Sequence, residues 1–299
     1  MSEMVTPLEV FSDALAHMVA KALPSTVTIS GETESLVSGG SGSGWVFGDG
    51  SYVVTNAHVV QQMFGLVKVK PAGAPSLKGE IIGIDRETDL AILHVVGLNK
   101  PSLSLRPEPP RLGELCMAIG SPLGLRESAS LGIISGLSRQ SKHPDGFIME
   151  EMLQTDASIN AGNSGGPLLD ARGLVLGVNT MGKGETVNFA VPTEMVEKII
   201  PELIQYGSIK RASIGLSVSS QWTEQDGQLR SLVQIRSVKH KQSPLRPGDF
   251  LVKIGTTTIR RWLDIKNALD RDAIGRTLQV WVLRDGALVN LEVNATQRC

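Results

Sequence analysis

Cysteine, aromatic residues and net charge are all scarce in this chain, and each scarcity excludes something. Only two cysteines, Cys116 and Cys299, occur in 299 residues. Cys116 lies in the apolar run Leu115–Ile119, where a thiol serves as a small buried hydrophobe, and Cys299 is the last residue. No disulfide framework and no metal site are expected, because no Cys/His cluster has ligand spacing. The 29 basic and 30 acidic residues leave a formal net charge of −1, so no basic field marks a nucleic-acid partner or an anionic membrane surface. No apolar run is long enough for a transmembrane segment. The first residues do not read as a secretory signal either, since Glu3, Glu9 and Asp13 precede the first basic residue, Lys21. The expected compartment is the cytoplasm or an organelle, with an exported compartment left open if a leader has been removed.

What is present is glycine, 32 residues against 4% aromatics, which suits many short strands joined by tight turns. A chain of 299 residues is long for one core, so two domains are expected. Leu8, Phe11, Leu15, Met18 and Ala22 fall three and four apart, predicting one amphipathic helix from Pro7 to Leu23 that ends before Pro24. Its apolar face suits packing on the following domain or a contact between subunits. Thr26–Ser30 reads as a strand, and Gly39–Gly44 as a mobile Gly/Ser loop. Gly44–Phe47 and Tyr52–Thr55 flank Gly48-Asp49-Gly50, which is hairpin chemistry. Further strands are predicted at Leu66–Val69, Gly79–Ile84, Leu90–Val96, Glu114–Ile119, Leu131–Ser138, Leu174–Asn179 and Val187–Val191. Gly146–Asn160 reads as the approach to a loop. Val196, Ile199, Ile200, Leu203 and Ile204 line one face of a helix with Thr193 as N-cap and Gly207 just past its end, shortened or kinked at Pro201. Ser208–Ala212 is polar and basic and reads as a linker. Beyond it come a helix over Trp262–Arg271 and a hairpin of Thr277–Leu283 with Leu288–Val293 about Asp285-Gly286.

Three segments carry chemistry. In Ala161-Gly162-Asn163-Ser164-Gly165-Gly166-Pro167 a serine is bracketed by glycines, whose freedom at positive φ permits a tight turn that exposes Ser164 Oγ and gathers backbone N–H groups at one point. Ser158 lies nearby but lacks the glycine bracket. Thr55-Asn56-Ala57-His58-Val59-Val60 puts a histidine at the end of an apolar strand; His17, His94, His143 and His240 have no comparable setting. Between these segments lie two competing acids. Asp85 stands in a turn, whereas Asp89 directly precedes the apolar run Leu90-Ala91-Ile92-Leu93, where it could hydrogen-bond the inner nitrogen of His58. The order His, Asp, Ser is that of the chymotrypsin-type triad.

Together these segments resemble the HtrA/Deg family of serine proteases, over roughly Thr26 to the C-terminus. The resemblance implies a mainly β fold: a chymotrypsin-like double β-barrel followed by a smaller PDZ-like α+β domain. The implied boundaries are a helical segment at 1–24, a protease domain at 25–207 and a PDZ-like domain at 208–299. It implies His58, Asp89 and Ser164 as catalytic residues, with the backbone of Gly162, Asn163 and Ser164 forming the oxyanion hole. Ser158, Ile159, Asn160 and Ala161, with Val187, Asn188, Phe189 and Ala190, are expected to bind substrate, the second stretch pairing with its backbone. Neither stretch holds a carboxylate, so small or medium apolar side chains are expected before the cleaved bond; Asp156 lies just outside.

In the last ninety or so residues, Ile214–Val218 resembles a carboxylate-binding loop and strand, and Arg246-Pro247-Gly248-Asp249 the most recognisable PDZ motif. Ser213, Ile214, Gly215 and Leu216 are then expected to hold a peptide C-terminus. Two departures are visible: Ser213 replaces the usual aromatic, and Ser243–Pro247 lacks residues that normally form a short helix. In Ala118–Leu125, Ser121 stands where asparagine is more usual, and Thr180–Glu185 is shorter than in many relatives. The implied function is ATP-independent endoproteolysis of unfolded or misfolded proteins by a homotrimer without a cofactor; no phosphate-cradling Gly-Lys motif is present. The alternative is a latent or inactive cleft acting as a chaperone-like or PDZ peptide-binding module.

Overall fold

The structure, a computed structural model, describes residues 6–31, 41–61, 63, 67–121, 127–142, 148–182, 186–225, 228–240 and 242–298. The loop remainder at Lys183–Glu185, residues 122–125 after Ser121, and Gly39-Gly40 lie outside the described residues. The chain divides into two compact units, Met1–Ser208 and Ile209–Cys299.

Helix α1 spans Pro7–Ala22, with Pro7 at its first turn. Thr6 caps it: its hydroxyl accepts from Glu9 N–H while the Glu9 carboxylate takes Thr6 N–H, a reciprocal capping box. Of the predicted apolar face only Met18 and Ala22 are buried, and Leu8 is 75% exposed. The first barrel closes in the order β1 (Thr26–Ser30), β2 (Ser41–Phe47), β3 (Tyr52–Thr55), β6 (Leu90–His94), β5 (Leu77–Asp85), β4 (Val67–Pro71). A single helical turn, α2 (Ala57–Val60), follows β3, so His58 sits on that turn just beyond the strand. Val27, Ile29, Val46, Val53, Ala91 and Leu93 fill the interior. Each buried Val, Ile or Leu among them contributes about 1.5–3 kcal/mol. The expectation of a mobile Gly39–Gly44 loop is corrected: Ser41–Gly44 belongs to β2, pairs with β1, and is buried from Gly42 onward.

The second barrel closes in the order β7 (Leu115–Gly120), β8 (Ser128–Lys142), β9 (Ile148–Thr155), β12 (Asn188–Pro192), β11 (Val175–Gly182), β10 (Pro167–Asp170). Strand β9 occupies Ile148–Thr155 of the Gly146–Asn160 stretch read as the approach to a loop, and β10 was not predicted. Helix α3 (Thr193–Tyr206) follows, resting on β5 and β6 of the first barrel and on β11 and β12 of the second. Its N-cap is Pro192 and Thr193 is its first helical residue, so the helix begins one position earlier than predicted. It runs unbroken through Pro201 and ends at Gly207 in the left-handed region. An ion cluster ties the inter-barrel connection to the second barrel. Arg106 Nη1 donates to Glu114 Oε2 at 2.7 Å, and this hydrogen bond, against the upward push of burial, holds the Glu114 carboxyl down at about 2.

In the second unit, the sheet order is β14 (Leu216–Gln225), β15 (Gln228–Val238), β16 (Phe250–Ile254), β18 (Thr277–Arg284), β19 (Ala287–Asn294). Strand β17 (Thr257–Thr258) pairs with β16, and β13 (Ala212–Ser213) pairs with β20 (Thr296–Gln297). Helix α4 is Trp262–Ala268, shorter than predicted, with a 3₁₀ turn at Arg271–Ala273 after it. Val233, Ile235, Leu251, Val280 and Val282 form the core. The Asp of the Pro-Gly-Asp motif is structural here. Burial pushes Asp249 upward, and the paired hydrogen bonds from Arg284 Nε (2.8 Å) and Nη2 (2.7 Å) outweigh it, leaving the carboxyl below its usual range.

Candidate active site

The site lies where the two barrels meet. Asp89 ends the turn before β6 at φ +55, in the left-handed region that aspartate tolerates better than most residues. Its carboxylate is 1% exposed and fully engaged. His58 Nδ1 lies 2.8 Å from Oδ2 and 3.0 Å from Oδ1, and His58 N–H donates to Oδ1 at 3.0 Å. From the second barrel Thr180 Oγ1 donates to Oδ2 at 2.5 Å. The backbone carbonyl of Asp89 accepts from Ala57 N–H (3.1 Å) and Asn56 Nδ2 (2.9 Å), so the acid and the histidine turn are clamped to each other twice. Asp85, expected in the turn, is instead the last residue of β5, and Thr88 Oγ1 from the turn after it donates to its Oδ2.

The same Thr180 reaches the nucleophile loop. Ser164 Oγ donates to the Thr180 carbonyl at 2.6 Å. A hydroxyl has one proton to give, so transfer to a base requires Ser164 to leave that carbonyl. Asn160-Ala161-Gly162-Asn163 is a turn closed by Asn163 N–H to Asn160 O at 2.9 Å, with Gly162 at φ +101 in the third position that favours glycine. Asn163 therefore spends the N–H expected at the oxyanion hole. Gly162 N–H and Ser164 N–H donate to no group among the described residues, leaving two donors instead of three. Gly165, at φ +86, admits no side chain: a Cβ would lie 2.1 Å from Ser43 O and 2.3 Å from Thr55 Oγ1. Ser43 holds this loop from β2, its N–H donating to Ser164 O at 2.8 Å and its hydroxyl to Gly162 O at 2.6 Å.

The expected substrate-binding residues separate into two roles. Ser158–Ala161 runs beside the nucleophile loop, with Ile159 buried. Asn188 is buried behind it and donates from Nδ2 to Ala157 O at 3.0 Å. The pairing of residues 187–191 with substrate backbone is corrected. Asn188–Ala190 is bonded to β9 on one edge and to β11 on the other, so its peptide groups have no free edge. Phe189 and Ala190 are core residues. Among the described residues the open edge belongs to β11 at Thr180–Gly182: Met181 and Gly182 pair with β12 on one side, while on the other the β10 pairing ends at Pro167 opposite Val178. Asp156 is exposed, with Oδ1 accepting from Ile133 N–H at 2.7 Å.

Sequence reasoning missed Thr180, Ser43 and Asn56. Thr180 is 91 residues from Asp89 and carries no local signal, and Ser43 was hidden by its glycine neighbours. In the second unit, Gly215 lies at φ +72, and its N–H is occupied by Ser213 Oγ at 3.1 Å. Ile214 is a core residue, and β14 is the edge strand of the sheet.

A family model for the trypsin-like peptidase domain matches residues 42–178, and one for the PDZ domain matches residues 212–295. Protease Do-like 5, chloroplastic, of Arabidopsis thaliana is 36% identical over 67% of this chain and 69% of its own length. The putative serine protease HhoB of Synechocystis sp. is 33% identical, covering 82% of this chain and 64% of its own. The chain spans between about half and two thirds of the length of the first curated relatives it matches. The HtrA-type protease AlgW solved with a tripeptide superposes with a TM-score of 0.78 at 28% identity, covering 95% of this chain and 97% of that one. No helix among the described residues is long and apolar enough to cross a membrane.

Proposed function

Because the chain belongs to the HtrA/Deg family of serine proteases, we propose that it hydrolyses internal peptide bonds through Ser164, His58 and Asp89. The observation that carries this reading is Thr180, whose hydroxyl holds the acid and whose carbonyl holds the nucleophile. His58 takes the Ser164 proton as Oγ attacks the peptide carbonyl, Asp89 fixes the imidazole tautomer, and Gly162 and Ser164 N–H receive the oxyanion. His58 returns that proton to the leaving amine as the C–N bond breaks, and the resulting acyl-enzyme is hydrolysed by water that His58 activates.

An extended substrate adds as a strand to the open edge of Thr180–Gly182, its amide competing for the carbonyl on which Ser164 rests and so freeing the hydroxyl. Its side chain before the cleaved bond enters between Ser158–Ala161 and Asn188, a setting without a carboxylate, so small or medium apolar residues are preferred. Extended apolar segments are what misfolded proteins expose, which makes quality control the role that fits. The exposed Leu8, Val10 and Phe11 of α1 suit contact with further copies, and by family resemblance a homotrimer. The edge strand β14 suits a peptide C-terminus, with Ser213–Leu216 at its carboxylate.

The test is cleavage of casein by wild type and by Ser164→Ala at several concentrations. Cleavage by wild type alone, with specific activity rising with concentration, is expected. No cleavage by either protein at any concentration overturns the peptidase reading and leaves the chaperone-like alternative. Suppression of client aggregation by both proteins, and a preference for a free-carboxylate peptide over its amide, then become the readouts.

A further inference from the structure

Ser43 is 0% exposed and every polar atom it carries is committed at the junction of the barrels. Its hydroxyl donates to Gly162 O at 2.6 Å and accepts from Ser121 N–H at 2.9 Å. Its own N–H donates to Ser164 O at 2.8 Å, and its carbonyl accepts from Thr55 Oγ1 at 2.7 Å. Ser121 is anchored in turn, since Thr28 Oγ1 donates to its Oγ at 2.9 Å. The flanking glycines explain how the chain fits. A Cβ at Gly42 would lie 2.6 Å from Val59, and one at Gly44 would lie 2.6 Å from Val53. Of these three residues only Ser43 presents a side chain to the nucleophile loop, and it is short enough to reach Gly162 O.

The bond to Gly162 O has a specific geometric effect. The peptide joining Gly162 to Asn163 is held at its carbonyl by Ser43 and at its N–H by Asn160 O. The two uncommitted amides, Gly162 N–H and Ser164 N–H, belong to the peptides on either side of it. With glycine at 162 the rotational barrier to flipping this segment is small, so the aim of both amides depends on the pin. We propose that Ser43 is a positioning residue for the oxyanion hole, its hydroxyl locking the Gly162–Asn163 peptide from the opposite barrel so that both donors converge. The proposal rests on the peptidase reading of the same site.

The experiment compares Ser43→Ala and Ser43→Cys with wild type in the full chain, at a temperature where a thermal melt shows all three folded. For Ser43→Ala, kcat on a short peptide falls about 10²-fold with KM unchanged, as expected when reacting groups lose alignment without loss of ground-state binding. A peptide aldehyde, whose hemiacetal with Ser164 places an oxyanion in the hole, loses affinity by the same factor as kcat/KM, while the corresponding peptide amide binds as before. Ser43→Cys, which keeps a weaker donor, falls between the two. Unchanged kcat in folded Ser43→Ala, or parallel loss of aldehyde and amide binding, overturns the proposal. If wild type itself hydrolyses nothing, the peptidase reading has failed separately. The pin is then read by amide exchange across residues 160–166, expected to quicken about tenfold in Ser43→Ala as local opening becomes easier; equal exchange overturns the proposal.

Discussion

In the first barrel the groups proposed to react are held chiefly through one side-chain carboxylate; in the second the proposed nucleophile is held chiefly through the conformation and carbonyls of its own backbone. Asp89 and His58 owe their positions to a carboxylate that takes His58 N–H, His58 Nδ1 and Thr180 Oγ1 at once. Ser164 owes its position to a turn with two positive-φ glycines, to carbonyls pinned from β2, and to a space at Gly165 too small for a methyl. Two barrels of the same strand count thus contribute in different currencies of chemistry and shape. The first should be sensitive to changes of charge and donor pattern that leave volume alone. The second should be sensitive to single carbon atoms that leave charge alone.

The largest effect expected from that contrast is at Asp89. Asp89→Asn keeps the volume but presents an amide to a histidine nitrogen, a threonine hydroxyl and a backbone N–H, and kcat should fall about 10⁴-fold. The fold should survive, which circular dichroism and a thermal melt would show; an Asp89→Asn protein with near-wild-type kcat would break the comparison. Next is Gly165→Ala, which changes no charge. Its methyl meets Ser43 O at 2.1 Å on a backbone at φ +86, so activity should vanish and stability fall by about 3 kcal/mol. Chemical denaturation measures that loss, and a full-stability variant would contradict the geometry. Thr180→Val removes one donor from the buried carboxylate while keeping shape, and should lower kcat about tenfold. An equal loss in a background already carrying Asp89→Asn would show that Thr180 acts elsewhere.

The smallest effect lies away from the site and concerns stability alone. Glu114 is held at about 2 by Arg106, below its ordinary 4.5. A carboxylate with a lowered folded pKa stabilises above its unfolded value, and that contribution disappears as pH falls from about 4.5 through about 2. Glu114→Gln should therefore flatten the unfolding free energy over this window and leave kcat near neutral pH unchanged. The same slope in both proteins would assign the acid sensitivity to other carboxylates.

The sequence was most legible where chemistry and local pattern coincide. The hairpin that delivers His58, the apolar run after Asp89 and the glycine bracket of Ser164 each announce themselves within ten residues. It was least legible where burial on both faces erases alternation. Strand β10, Pro167–Asp170, is buried at every position, and β9 places Ile148, Met149, Met152 and Leu153 at helical spacing, with Glu151 at φ +59 interrupting its pleat. Ser41–Gly44 has the composition of a loop and the structure of a strand, because close packing against Val53 and Val59 admits nothing larger than glycine at two of its positions. The strand read as pairing with substrate, β12, has no free edge, because it is bonded to β9 and β11, and only the sheet order reveals this.

The most direct measurement of the central claim, one reacting site shared by the two barrels, is covalent labelling of the full chain with a peptidyl phosphonyl fluoride. Ser164 Oγ displaces fluoride at phosphorus while His58 accepts the proton, and mass spectrometry of the digest locates the adduct. A single adduct on the peptide containing Ser164 is expected, formed about 10³-fold more slowly in His58→Ala. An adduct elsewhere, none at all, or equal rates with and without His58 would contradict that claim.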